Sequence, residues 1–114
     1  MDHDNLAIEE KIKYIQDTLY TISGKWKLPI LMAMYSGANR FRDLQRCVNH
    51  ITTRVLSKEL KELEAHQLIR RCVQDSYPIS VTYTVTEYAF SLKPLVDEMI
   101  EWGKNHRKTV ATAP

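Results

Sequence analysis

The chain has 114 residues, enough for one domain with a real core and too few for two. Its apolar content of 44% and charged content of 26% are those of a soluble globular protein, and no run nears the roughly 18 apolar residues of a membrane span. The start MDHDNLAIEEK is acidic and polar, unlike a signal or transit peptide, so a cytoplasmic location without a membrane partner is expected.

A net charge of +2 does not announce a nucleic-acid binder, but its distribution is uneven. Residues 40–72 hold eight basic groups (Arg40, Arg42, Arg46, Arg54, Lys58, Lys61, Arg70, Arg71) against four acidic ones, a net +4, while the flanking thirds are each −1. Cys47 and Cys72 are 25 positions apart, with no C-x-x-C and no nearby His pair, so zinc ligation is not expected. Both read as small buried or half-buried thiols. No paired carboxylates, nucleophile–base pair or Gly-rich phosphate loop stands out, so neither an enzyme nor a bound cofactor is expected.

Residues 1–5 are expected to fray. From about Leu6 to Ile22, the residues Ile8, Ile12, Ile15, Leu19 and Ile22 step by four and three, a helix with a narrow heptad-like seam. That seam is long for the start of so small a domain and has two possible partners, the core or a second subunit. Ser23-Gly24 breaks the pattern. Lys25 to Tyr35 reads as a largely buried helix with Trp26, Ile30, Leu31, Met34 and Tyr35 inward, and Pro29 sits near its first turn, where a missing N–H costs least. Gly37 ends it in the left-handed conformation.

Arg40 to Val48 is a short helix with Phe41, Leu44 and Val48 inward. After Asn49-His50, the stretch Ile51 to His66 is an amphipathic helix. Val55, Leu56, Leu60 and Leu63 share its buried side. Arg54, Ser57, Lys58 and Lys61 share the other, which turns acidic at Glu62 and Glu64. Thr52 or Thr53 can cap it. Two helices joined by a short turn, the second basic on its outer face, make a helix-turn-helix, and an Arg/Ser/Lys front near a helix N-terminus suits a DNA major groove.

LIRRCVQ (68–74) and ISVTYTVT (79–86) alternate around the turn signal DSYP, a β-hairpin placed to act as a wing. Val81, Tyr83 and Val85 face one side. Alternation puts only one of Arg70 and Arg71 outward, with the choice open, and Ser76 lies at the tip. Thr86 can cap a last helix carrying Phe90, Leu92, Leu95, Val96, Met99, Ile100 and Trp102, and Pro94 predicts a kink or restart within it. The tail from Lys104 is expected to end in disorder.

In this order, GKWKLPIL (24–31), RFRDL (40–44), ITTRVLSKELKELE (51–64), LIRR (68–71), PISVTYTVTE (78–87) and EWGKNH (101–106) resemble the HxlR family of bacterial winged-helix regulators. The resemblance spans about residues 15–106. It implies a mainly α (α+β) fold over residues 1–114: a helix-turn-helix at about 40–66, a wing at about 68–86, and flanking N- and C-terminal dimerisation helices at about 6–22 and 87–106. It further implies a sequence-specific transcriptional regulator, repressor or activator, bound as a homodimer to an inverted repeat in double-stranded DNA. The DNA-binding residues expected are Arg40, Thr52, Thr53, Arg54, Ser57, Lys58, Lys61, Arg70, Arg71 and Ser76. Those expected at the dimer interface are Ile8, Ile12, Ile15, Leu19, Leu95, Met99 and Trp102. The alternative is a winged-helix protein–protein adaptor without operator preference. A small-molecule effector is a further candidate partner, in a groove between the dimer helices and the wing domain where Tyr14, Tyr20 and Trp102 would gather; the alternative is that these aromatics fill a dimer core.

The sequence departs from the family pattern in three ways. Lys13 and Tyr14 replace an early Cys-Pro, which removes redox sensing at that position. Gln67 stands where Gly usually ends the recognition helix, and Ala89 replaces a Gly after Thr-Glu-x.

Overall fold

The computed structural model describes residues 3–112. Helix α1 (Ile8–Ile22) begins with Glu9 and Glu10, acids that favour the positive end of the helix dipole. It stops at Ser23, whose N–H returns to the Leu19 carbonyl, and the following Gly24 sits at φ 101°. Helix α2 (Lys27–Tyr35) is apolar nearly all round and is accordingly central, with Ile30, Leu31, Ala33 and Met34 buried. Trp26 and Tyr35, expected inward, are half-buried against this core. Gly37, at φ 109°, ends α2 by letting the Ala38 N–H reach back to the Ala33 carbonyl at 3.0 Å.

Helices α3 (Phe41–Cys47) and α4 (Thr53–Ala65) pack with α2 through Leu44, Val48, Ile51, Leu56, Leu60 and Leu63. Strands β1 (Ile69–Gln74) and β2 (Ser80–Val85) pair antiparallel, from Ile69 opposite Val85 to Gln74 opposite Ser80. Ile69 is buried in the core, and Tyr83 and Val85 pack against it. The Tyr83 N–H donates to the Asn39 carbonyl at 2.8 Å, which ties β2 to the loop before α3. Thr86 closes the base of the hairpin: its hydroxyl donates to the Gln67 carbonyl (2.7 Å) and accepts from the Ala89 N–H (3.2 Å), capping the short helix α5 (Glu87–Phe90).

Pro94 gives a restart, not a kink: α5 ends and α6 (Lys93–Ala111) begins with the proline in its first turn. Helix α6 runs past the expected end near residue 106 because nothing between Gly103 and Ala111 breaks it. Of the frayed ends expected, Met1, Asp2, Ala113 and Pro114 lie outside the described residues.

Two expectations about single side chains need correction. Cys47 is exposed, because it falls on the outer side of the last turn of α3, while Cys72 is half-buried. Both Arg70 and Arg71 are exposed, not one of them, because a two-stranded ribbon projecting beyond the core has no second layer to cover either face.

The shape is extended. The radius of gyration is 17.0 Å, against about 13 Å for a compact domain of this length. The excess comes from α1 and α6, where Ile22 and Val96 are the single buried residues of their helices.

Candidate nucleic-acid interface

The geometry of α4 begins with its buried side. Leu56, Leu60 and Leu63 are buried in the core and Val55 is half-buried, which fixes the rotation of the helix about its axis. Glu59 lies within one helical turn of those leucines and is buried with them. It survives there because the Lys27 ammonium, at the start of α2, donates to its carboxylate at 2.8 Å and to that of Glu62 at 2.5 Å. Burial of Lys27 works to lower its pKa, but the hydrogen bonds and charges of Glu59 and Glu62 outweigh it and hold the ammonium above its ordinary 10.5. The hydrogen bond from Lys27 keeps Glu62 below its ordinary 4.5, against partial desolvation and with help from the charges of Lys27, Lys58 and His66.

This triad corrects the sequence reading of α4. Glu62 was expected on the outer face, and it turns instead toward Lys27. The outer face is therefore more basic than its sequence suggests. Lys27 and Glu59 had no assigned role, although helical spacing already placed Glu59 beside the leucine stripe.

The start of α4 is held from two sides. The Thr52 hydroxyl accepts from the Val55 N–H at 3.2 Å, so Thr52 and not Thr53 is the cap. Gln45, on α3, donates to the Thr53 hydroxyl at 3.1 Å and to the Ile51 carbonyl at 3.4 Å. The turn between the helices is anchored by buried Val48 and Ile51, with His50 in the left-handed region at φ 69°.

Around this frame, Arg40, Thr52, Thr53, Arg54, Lys58 and Lys61 are exposed and Ser57 is half-buried. Arg40 directly precedes α3, and the others belong to α4 and its cap. Among the described residues none of these basic groups, nor Arg70 or Arg71, has an ion-pair partner within 4.0 Å. Strand β1 packs on α4, which sets Arg70 and Arg71 at the base of the wing beside that helix. Arg70 shares a groove with Glu64, Gln67, Glu87 and Tyr88, and Ser76 lies in the exposed tip.

A second surface lies on α1 and α6. Ile8, Ile12, Ile15, Leu19, Leu95, Met99 and Trp102 are all exposed. Ile15, Leu19, Leu95 and Met99 come together with Tyr14 and Ile22 along an apolar groove of about 550 Å³ between the two helices. Ile8, Ile12 and Trp102 lie outside it. Within one chain the three aromatics have different neighbours: Tyr14 lines this groove, Tyr20 meets His66 edge-on at 5.7 Å between ring centres, and Trp102 stacks on His106 at 4.8 Å.

The described residues contain no group of three or more His, Cys, Asp or Glu side chains placed to hold a metal, and no helix long and apolar enough to cross a membrane.

The model of the HxlR-like helix-turn-helix family matches residues 21–111, from the end of α1 to the end of α6. The chain belongs to that family. Its relatives include the HTH-type transcriptional regulator YtcD of Bacillus subtilis, 40% identical over 100 residues that cover 85% of this chain and 79% of YtcD. The regulator BH0655 of Halalkalibacterium halodurans is 40% identical over 99 residues, covering 82% and 88% of the two chains. The fold matches the redox regulator HypR in its reduced form with a TM-score of 0.80 at 36% identity, over 88% of this chain and 99% of that one. A MarR-family regulator from Enterococcus faecalis V583 also matches with a TM-score of 0.80, at 31% identity over 96% and 100% of the two chains. The protein is thus a transcriptional regulator of the HxlR and MarR-like helix-turn-helix type.

Proposed function

We propose that the chain acts as one DNA-binding unit that forms a homodimer and binds an inverted-repeat operator. The observation that carries this reading is the outer face of α4. Two of its acids, Glu59 and Glu62, are turned inward onto Lys27, Glu64 stays exposed, and Arg54, Lys58 and Lys61 are exposed and, among the described residues, without ion-pair partners. A helix of that kind, joined to α3 by a short turn, suits a major groove. In this reading Arg40, Lys58, Lys61, Arg70 and Arg71 neutralise phosphates, each contact releasing counterions. Thr52, Thr53, Arg54 and Ser57, at the N-terminal end of α4, meet base edges or the phosphates next to them.

The dimer reading is supported by the run of exposed large apolar side chains on α1 and α6, the kind of surface that marks a protein–protein contact. An isologous pairing would cover it twice over and place two copies of α4 about one DNA turn apart, or a multiple of that.

The test is binding to DNA flanking the protein's own gene, with a scrambled duplex as competitor, across a salt series. Binding that resists the competitor, falls steeply with salt and protects an inverted repeat is the expected result. Equal binding to both duplexes removes operator specificity, and no binding at low salt favours the adaptor alternative.

A further inference from the structure

The wing carries its least protein-like surface at its far end. Tyr77 is 99% exposed and Ile79 is 69% exposed, on either side of Pro78. The six paired positions of β1 and β2 set this tip about 20 Å beyond buried Ile69. An aromatic ring at that exposure has no part in the core, and an apolar hairpin end is a liability unless something covers it.

Charge narrows what that something is. Between Arg71 and Lys93 there is no lysine or arginine, and Asp75 is the charged group of the tip. The tip therefore cannot hold DNA by neutralising phosphates, and it meets the field of any duplex with a small repulsion. What it can offer is apolar area and a flat ring. Its base is continuous with the exposed, basic Arg70 and Arg71 beside α4, so a duplex seated on α4 runs alongside the hairpin.

We propose that Tyr77, with Ile79, is an apolar wedge that enters the minor groove flanking each half-site, and that it sets specificity through the ease with which that base step opens. The inference rests on the DNA-binding reading above. An apolar side chain inserted at a base step partly unstacks it and bends the duplex, and pyrimidine–purine steps yield most readily. A tip bearing lysine would add affinity on every duplex. A tip bearing an acid and a wedge pays repulsion on every duplex and recovers contact only where the step gives way. The wing tip is then a selector of deformable sequence, distinct from the base-edge contacts of α4.

The experiment uses the full chain, its selected operator with 2-aminopurine placed at the step under the wing, and the variants Tyr77→Ala, Tyr77→Phe and Asp75→Asn. Tyr77→Ala is expected to lose about tenfold in operator affinity, the scale of one lost ring–base contact. Its affinity for a scrambled duplex, its salt slope and its thermal midpoint should not change. Wild type and Tyr77→Phe should both raise 2-aminopurine fluorescence on binding, and Tyr77→Ala should not. Asp75→Asn should tighten binding to operator and scrambled duplex alike by about twofold, as removal of one repelled charge near phosphates requires. Operator affinity of Tyr77→Ala equal to wild type, or an unchanged fluorescence rise in that variant, overturns the wedge while leaving the DNA reading intact. Wild type that binds no operator at all overturns the DNA reading and the wedge with it.

Discussion

The Lys27 ammonium and the Glu59 carboxylate meet at 2.8 Å across the junction of α2 and α4, with side chains only 10% and 12% exposed. Removing one member of such a pair strands the other charge in the interior, and that loss exceeds the net worth of the pair itself. Lys27→Met is therefore expected to lower stability by about 3 kcal/mol. Lys27→Met combined with Glu59→Leu should recover most of the loss, because an apolar replacement of both partners needs no compensation. Urea unfolding of the two variants beside wild type checks both statements, and a double variant no more stable than the single one would contradict them.

Glu62 sets an acid limit and Lys27 an alkaline one. The folded-state pKa of Glu62 lies below its ordinary 4.5, so its contribution is fully present above that value and disappears as pH falls through the folded pKa. The difference in urea midpoint between wild type and Glu62→Gln should be steady near neutrality and shrink below pH 4.5. Lys27 is raised above 10.5, so its contribution holds below that pH and fades as pH rises through the higher folded value.

Gln67 ends α4 as Gly37 ends α2. In each case a residue at positive φ (63° and 109°) lets the next N–H reach back to the carbonyl five residues earlier, Leu68 to Leu63 and Ala38 to Ala33, both at 3.0 Å. A side chain in that conformation costs about 1 kcal/mol, partly offset by the lower unfolded-state entropy of a non-glycine. Gln67→Gly should raise stability by about 0.5 kcal/mol. Gly37→Ala should lower it by about 1 kcal/mol. A Cβ at Gly37 meets nothing within 4 Å, so that cost is purely a backbone one. Thermal or urea midpoints decide the signs.

Arg54 stands at the exposed N-terminal end of α4, where a guanidinium can pair with a guanine. Arg54→Ala should weaken operator binding by about 1–3 kcal/mol, concentrated at one base pair of each half-site. Lys58→Ala should weaken all duplexes equally and flatten the salt slope by about one unit. Binding measured on a panel of single-base operator variants separates the two behaviours. An equal loss on every sequence would make Arg54 a phosphate contact.

Leu19 and Leu95 face the groove between α1 and α6, both exposed. A carboxylate there would be buried unpaired if a second copy covers the groove. Leu19→Glu should sediment at the monomer mass, keep its thermal transition and lose tight binding to the inverted repeat. A variant that still sediments as a dimer would place the interface elsewhere.

Much of this architecture is legible in residue order because local rules and burial agree. The leucine stripe of α4, the β1–β2 hairpin, the Thr86 cap and the Pro94 restart all appear where spacing and chemistry place them. Two expectations fail for different reasons. Strand alternation says which residues share a face but not whether a second layer exists to cover it, so it exposes only one of Arg70 and Arg71 where the ribbon exposes both. Residue type alone makes Cys47 a small buried thiol, and its place on the last turn of α3 leaves it exposed.

Element identity, the basic helix front and the apolar seams of the two flanking helices follow from the one-dimensional pattern, since each depends on neighbours three or four residues away. The orientation of the candidate DNA face does not. It depends on Lys27 reaching Glu59 and Glu62, 32 and 35 residues later in the chain, and on Gln45 holding the start of α4. A buried charge is tolerable only beside its partner, and which groups become partners is settled by the packing of α2, α3 and α4 around one core. That packing turns two acids inward and leaves the arginine and lysines of α4 facing out.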